Sequence, residues 1–211
     1  RLYGIITHEL RTPVAAISMM AQSDNEQWLN DKISIETAAH DLLHSIDDMK
    51  MLINPELKRE MRIESTTVSD LNNGINTMVA SAVAATRMQY QQLTNLPSEV
   101  QSKRFTTDTY RVKAAVTNLI RNACLHSEGS KVWCITSVDV DNEGKSIIRW
   151  TVGDNGKGIP EYKVPKLFKP FERGESRAEG TGLGLHIAKT WIEELDGELT
   201  YRRSVQGSEF V

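Results

Sequence analysis

Asn118 and Asn122 stand four residues apart in the run Asn118-Leu119-Ile120-Arg121-Asn122-Ala123, so on a helix their carboxamides share one face. An amide oxygen is a hard, neutral ligand suited to Mg²⁺, which keeps several waters and bridges substrate phosphates. Alone, the pair reads more readily as two exposed polar residues on a helix. Further on, Asp154-Asn155-Gly156-Lys157-Gly158-Ile159 follows an apolar run. A carboxylate there can accept a hydrogen bond from an exocyclic amine such as adenine's, and glycines let the backbone approach a flat ring. Asp-Asn-Gly is also an ordinary tight turn. Leu167-Phe168-Lys169-Pro170-Phe171 places two phenylalanines three apart, a pattern that also suits a small core cluster. Gly180-Thr181-Gly182-Leu183-Gly184-Leu185 opens a helical pattern, where backbone N–H groups at a positive helix end suit phosphate. A polar loop, Arg173 to Glu179, precedes it, so it is not the dinucleotide-binding fingerprint that follows a first strand.

A second constellation lies at the other end, in His8-Glu9-Leu10-Arg11-Thr12-Pro13. At about 100° per residue, His8 falls about 200° from both Ile6 and Leu10, away from the apolar seam they belong to. Thr12, four residues on, shares its face. Pro13 removes a backbone hydrogen bond and loosens the helix just after the histidine, a place for it to bend. His40 and His44 are also four apart, but no third metal ligand accompanies them, and they read as surface histidines.

Two kinds of element must position these groups. Leu2, Ile6, Leu10, Pro13, Ile17 and Met20 recur at spacings of four and three, as do Ile35, Ala39, Leu42, Ile46, Met49 and Ile53. Both are narrow heptad-like seams. With the turn residues Ser23-Asp24-Asn25-Glu26 between them they predict a helical hairpin over residues 1–55. One hairpin has too little apolar surface to stand alone, so two copies are expected to pair into a four-helix bundle. Asn54-Pro55 ends the second helix and a charged linker follows. Residues 62–211 then mix helices, from about Ser69 to Met88, Asp108 to about Leu125, and Leu183 to Leu195, with strands at Lys131 to Val140, Ser146 to Gly153, and Glu198 to Arg202. That is an α+β domain whose mixed sheet is covered by helices on one face.

Composition narrows the classes. A net charge of −3 with scattered Lys and Arg gives no footprint for nucleic acid. Cys124 and Cys134 have neither disulfide-framework nor metal spacing, which suits reduced thiols in a cytosolic domain. No run approaches the roughly 20 apolar residues of a membrane span. The chain begins without an N-cap signal, as if inside a helix, so a membrane anchor or sensory module is expected to precede it.

In their order and spacing, the four C-terminal segments resemble the N, G1, F and G2 boxes of the ATP-binding fold shared by histidine kinases, Hsp90, gyrase and the mismatch-repair ATPases (the Bergerat or GHKL fold). The resemblance spans about Asn118 to Gly207. It implies that Asn118 and Asn122 hold Mg²⁺ and phosphates, with Asn122 the metal ligand, and that Asp154 reads adenine. It further implies that Gly156, Gly158, Gly180, Thr181, Gly182, Leu183 and Gly184, with Phe168 and Phe171, shape the pocket and lid, and that Arg173 is a basic lid residue. Chaperone- and topoisomerase-like ATPases share this fold. The run from His8 to Pro13 separates them, since it resembles the H-box of sensor histidine kinases over six consecutive residues. By that resemblance His8 accepts the γ-phosphoryl group of ATP. Glu9 orients the imidazole and takes its proton, and Glu9 with Thr12 matches the pattern that positions water to dephosphorylate a response regulator. The implied protein is a homodimeric, ATP- and Mg²⁺-dependent protein-histidine kinase. Its expected partner is a response-regulator receiver domain, and its expected place is the cytosolic portion of a membrane-anchored sensor. Leu125 departs from the family, which often has Lys or Arg there. His126 either takes over that contact or is a helix-end histidine interacting with the carbonyl dipole.

Overall fold

The computed structural model describes residues 14–15, 60–84, 86, 88–140, 143–170, 182–205 and 207–211. The contacts divide the chain into two units. Of the first, Val14 and Ala15 are described as helical and exposed. The hairpin and dimer expected over residues 1–55, with His8, Glu9, Thr12, Pro13, His40 and His44, lie otherwise outside the described residues.

The second unit begins with β1 (Glu64–Thr66), α1 (Val68–Ala84), β2 (Gln89–Asn95), α2 (Ser98–Ser102) and β3 (Phe105–Thr107). It continues through α3 (Thr109–His126), β4 (Lys131–Val140) and β5 (Ser146–Asp154), then a 3-10 helix at Glu161–Lys166. α4 (Gly184–Glu193), β6 (Tyr201–Ser204) and β7 (Gly207–Phe210) complete it. The five-stranded sheet runs β2-β4-β5-β7-β6. β2 and β4 are parallel and the other neighbours antiparallel, so the sheet is mixed as expected. A small antiparallel pair, β1 with β3, stands apart.

The core follows from periodicity. Val68, Leu71, Ile75 and Val79 recur at three and four along α1, and all are buried. On β4, Val132, Cys134 and Thr136 alternate inward and face Asp154, Val152 and Trp150 across the ladder. Each buried Val, Leu or Ile contributes about 1.5–3 kcal/mol relative to exposure. One polar side chain is set into this core. Asn72 of α1 accepts hydrogen bonds from Thr136 Oγ1 (3.1 Å) and Trp150 Nε1 (3.0 Å), and its Nδ2 donates to Thr94 Oγ1 at 3.3 Å. It thereby ties the helix to three strands.

α3 extends over the predicted range, with Asp108 as N-cap accepting from Arg111 N at 3.1 Å. β4 also matches its predicted range. Three details differ. The helix expected to reach Met88 stops at Ala84, where Thr86 N and Oγ1 both bond the Val83 carbonyl (3.1 and 3.0 Å). β2, not anticipated, follows as an edge strand whose polar, mostly exposed Gln-rich sequence carries no apolar alternation to announce it. The strand expected at Glu198 to Arg202 is shifted to Tyr201–Ser204, its register set by pairing with β7. Among the described residues no helix is long and apolar enough to cross a membrane.

Candidate nucleotide site

The C-terminal half of α3 meets two segments, the start of α4 and the loop after β5. On the face turned to α4, the half-buried Asn118 and Asn122 meet its start: a Cβ added at Gly184 would stand 3.6 Å from Asn122 Nδ2 and 3.9 Å from Asn118 Cγ. The expected N and G2 segments are therefore in contact. The N-cap residue of α4 is the buried Leu183, whose side chain makes no capping hydrogen bond, and Gly182 has a positive φ of 69°. Amides at such a helix start favour an anionic group.

The other segment follows β5. Asp154 is 4% exposed, and its carboxylate accepts from the amides of Gly156 (2.8 Å to Oδ1) and Ser208. Burial raises its pKa, and those two hydrogen bonds oppose the rise. Gly156 crosses the backbone just beyond α3, where any Cβ would collide with the carbonyl oxygen of Ser127. That carbonyl in turn accepts from Lys157 N at 3.1 Å. Gly207 crosses on the other side with φ 147°, and a Cβ there would run into the Asp154 carbonyl. Gly158, with φ 73°, has its Cβ position 3.4 Å from the Gly207 carbonyl.

Phe168 reaches the same neighbourhood through α4 and β7. Its carbonyl is 3.1 Å from His186 Nδ1, its ring lies 4.8 Å below Lys189 Nζ, and it stacks edge-on with Phe210 at 6.4 Å. Phe171, Arg173, Gly180 and Thr181 lie outside the described residues. Leu125, the departure from the family pattern, is 45% exposed, whereas His126, the last residue of α3, is half-buried and its pKa is lowered by that burial. A neutral imidazole is the form this position favours.

Two residues escaped the sequence reading. Asn155, read there as part of a turn, laces the loop after α3 to the loop after β5. Its Oδ1 accepts from both Ser130 N and Lys131 N at 2.8 Å, and its Nδ2 donates to Ser130 Oγ at 3.1 Å. Gly207 had no turn signal around it, and only the approach of β7 to Asp154 gives it a role. The thiols of Cys124 and Cys134 are buried and free, and burial pushes Cys134 up to about 12, so neither offers a thiolate.

These residues fit Mg²⁺ and a nucleotide. The donor set is neutral amide oxygen opposite a glycine-led helix start, and the buried carboxylate of Asp154, held by backbone amides, is of a kind that can accept from an exocyclic amine. The α+β fold and this site together define an ATP-binding domain. Residues 107–211 match the family described as histidine kinase-, DNA gyrase B-, and HSP90-like ATPase. The chain is 28% identical over 212 residues to two-component system protein A of Emericella nidulans, covering 93% of this chain and 30% of that protein. It is 26% identical over 221 residues to the sensory/regulatory protein RpfC of Xanthomonas campestris, covering 97% and 29%. The chain thus spans under a third of the length of these curated relatives. In fold it is similar to full-length ShkA in complex with AMPPNP (TM-score 0.66, 21% identity, 99% of this chain and 44% of that one). It is similar too to histidine kinase ThkA in complex with response regulator TrrA (TM-score 0.64, 20% identity, 97% and 58%). Residues 107–211 therefore carry an ATPase domain of this family, and over nearly its whole length the chain is similar to two-component sensory proteins.

Proposed function

We propose that this chain is the catalytic core of a homodimeric protein-histidine kinase that phosphorylates its own His8 from ATP and passes the group to an aspartate of a response-regulator receiver domain. The observation that carries the ATP half is the approach of Gly184 to Asn118 and Asn122, close enough that an added Cβ would be in van der Waals contact with them. The acceptor half rests on the run from His8 to Pro13 and on the outward phase of His8.

In the reaction, a neutral imidazole nitrogen of His8 attacks the γ-phosphorus in line. The N–P bond forms as the bond to the bridging oxygen breaks, and its electron pair leaves on ADP. Glu9 accepts a hydrogen bond from the other ring nitrogen and takes up the released proton. Amides at the start of α4 neutralise charge on the phosphates, and Asp154 orients the adenine. Mg²⁺, when bound through Asn122, supplies charge neutralisation between the phosphates. Support for the partner comes from the ThkA complex, whose fold this chain shares.

Incubation with γ-labelled ATP tests the whole reading: the protein should acquire a label that is lost in acid and comparatively stable in alkali. Label staying in solution as phosphate would instead mark a chaperone- or topoisomerase-like ATPase. Two substitutions separate the parts. Asn122→Ala should reduce Mg²⁺-dependent phosphorylation by about 10²-fold or more, and wild-type rates in that variant would remove Asn122 from the metal. Thr12→Ala should slow dephosphorylation of the regulator by about tenfold or more while autophosphorylation changes little. Equal loss of both would end the distinct role assigned to Thr12.

A further inference from the structure

Arg111 is a buried charge that the proposed chemistry does not use. Its side chain is 7% exposed, and such a guanidinium is costly to bury unless it is paired and hydrogen-bonded. Its Nη1 lies 3.2 Å from Oε2 of Glu194, itself 22% exposed, at the C-cap of α4. Its Nε is 3.8 Å from Oδ2 of Asp108. That same Asp108 oxygen accepts from Arg62 N at 3.0 Å, so the segment entering this unit is tied to the same cluster.

Helical phase gives this cluster a second meaning. Arg111 precedes Asn118 by seven residues, about two turns, and so lies on the face that carries Asn118 and Asn122. α4 meets that face twice: Gly184 faces the two asparagines across the space of one added Cβ, and Glu194 reaches Arg111. From Arg111 to Asn122 the rise along α3 is about 16 Å, and from Gly184 to Glu194 along α4 about 15 Å. The two helices therefore run antiparallel with matched spans, one end closed by the glycine contact and the other by the ion pair. The edge-on contact of Tyr110 with Trp191, at 5.8 Å, lies at the ion-pair end and agrees with this direction.

We propose that Arg111 and Glu194 are positioning residues for the nucleotide: their ion pair sets where the start of α4 stands against Asn118 and Asn122, one helix length away. A helix is stiff along its axis, so a slip at the Glu194 end displaces the amides at Gly184 by a comparable distance. The inference rests on the ATP site proposed above.

The test uses the whole chain and two readouts, affinity for a fluorescent ATP analogue and thermal melting, with binding measured well below each melting temperature. Glu194→Gln should weaken nucleotide binding roughly tenfold, and raise KM for ATP more than it lowers kcat. Asn72→Ala, which unties α1 from the sheet and removes no group of the Arg111–Glu194 pair or of the nucleotide site, should lower the melting temperature and leave affinity unchanged. In the double variant Arg111→Met/Glu194→Leu, an apolar contact replaces the pair; it should melt near the wild type and still bind weakly. Binding by Glu194→Gln within about twofold of wild type, or affinity that merely tracks melting temperature across the variants, overturns the positioning role. A wild-type chain that binds no nucleotide fails the ATP site itself, a result distinguishable from either.

Discussion

His8→Gln should yield a protein that binds ATP as the wild type does and acquires no acid-labile phosphate. A carboxamide nitrogen has its lone pair delocalised into the carbonyl and cannot attack phosphorus, whereas a neutral imidazole nitrogen can. Removing a nucleophile on which a reaction depends costs at least about 10³-fold, so labelling should fall to background. The residue stands about 200° from the seam residues Ile6 and Leu10, so glutamine replaces it on an outward face and the seam is left intact. Affinity for ATP, read by a fluorescent analogue, should stay within about twofold because every group assigned to the nucleotide lies in residues 118–184. Retained acid-labile label in this variant would place the acceptor on another side chain and remove the central role given to the run from His8 to Pro13.

Gly156→Ala should abolish nucleotide binding and strongly destabilise the second unit. The added methyl would collide with the carbonyl oxygen of Ser127, and that is backbone on both sides. Ser127 is fixed because its amide bonds Ala123 at the end of α3, and its carbonyl receives Lys157 N. Nothing flexible can yield, so either α3 or the loop carrying Asp154 must shift. We expect a cost of at least about 3 kcal/mol and loss of ATP binding by at least about 10²-fold, since Asp154 and Asn122 sit on the two displaced parts. Gly144→Ala is the control. It also has a positive φ, 81°, but nothing within 4 Å, so it should cost only about 1–2 kcal/mol of backbone strain and leave binding intact. Chemical unfolding and nucleotide titration of both variants decide the matter; Gly156→Ala with wild-type affinity would mean that the crossing at Ser127 does not hold the site.

Residue spacing made much of the ATP-binding unit legible. α3 was readable because its N-cap and its buried residues agree in phase, and β4 because a run rich in β-branched and aromatic residues ends at the turn signal Asp141-Asn142-Glu143-Gly144. β2 was not, since an edge strand such as Gln89–Asn95 needs no inward apolar row, and its identity comes from the parallel ladder with β4. Asn155 was misjudged for a related reason. Asp-Asn-Gly satisfies a turn locally, and only the arrival of Ser130 and Lys131 from the loop after α3 shows that its side chain joins two loops.

By itself the sequence determined which groups can do the chemistry: an imidazole facing away from a seam, two carboxamides on one helical face, a carboxylate after a strand, and glycines before a helix. Those follow from residue type and periodicity, which are local properties of the chain. Tertiary structure decided which of them meet. Gly184 stands against Asn118 and Asn122, Gly207 closes on Asp154, and Arg111 pairs with Glu194 eighty-three residues away in sequence. No local pattern encodes such contacts, because each is fixed by the packing of two elements whose register is chosen by the rest of the core.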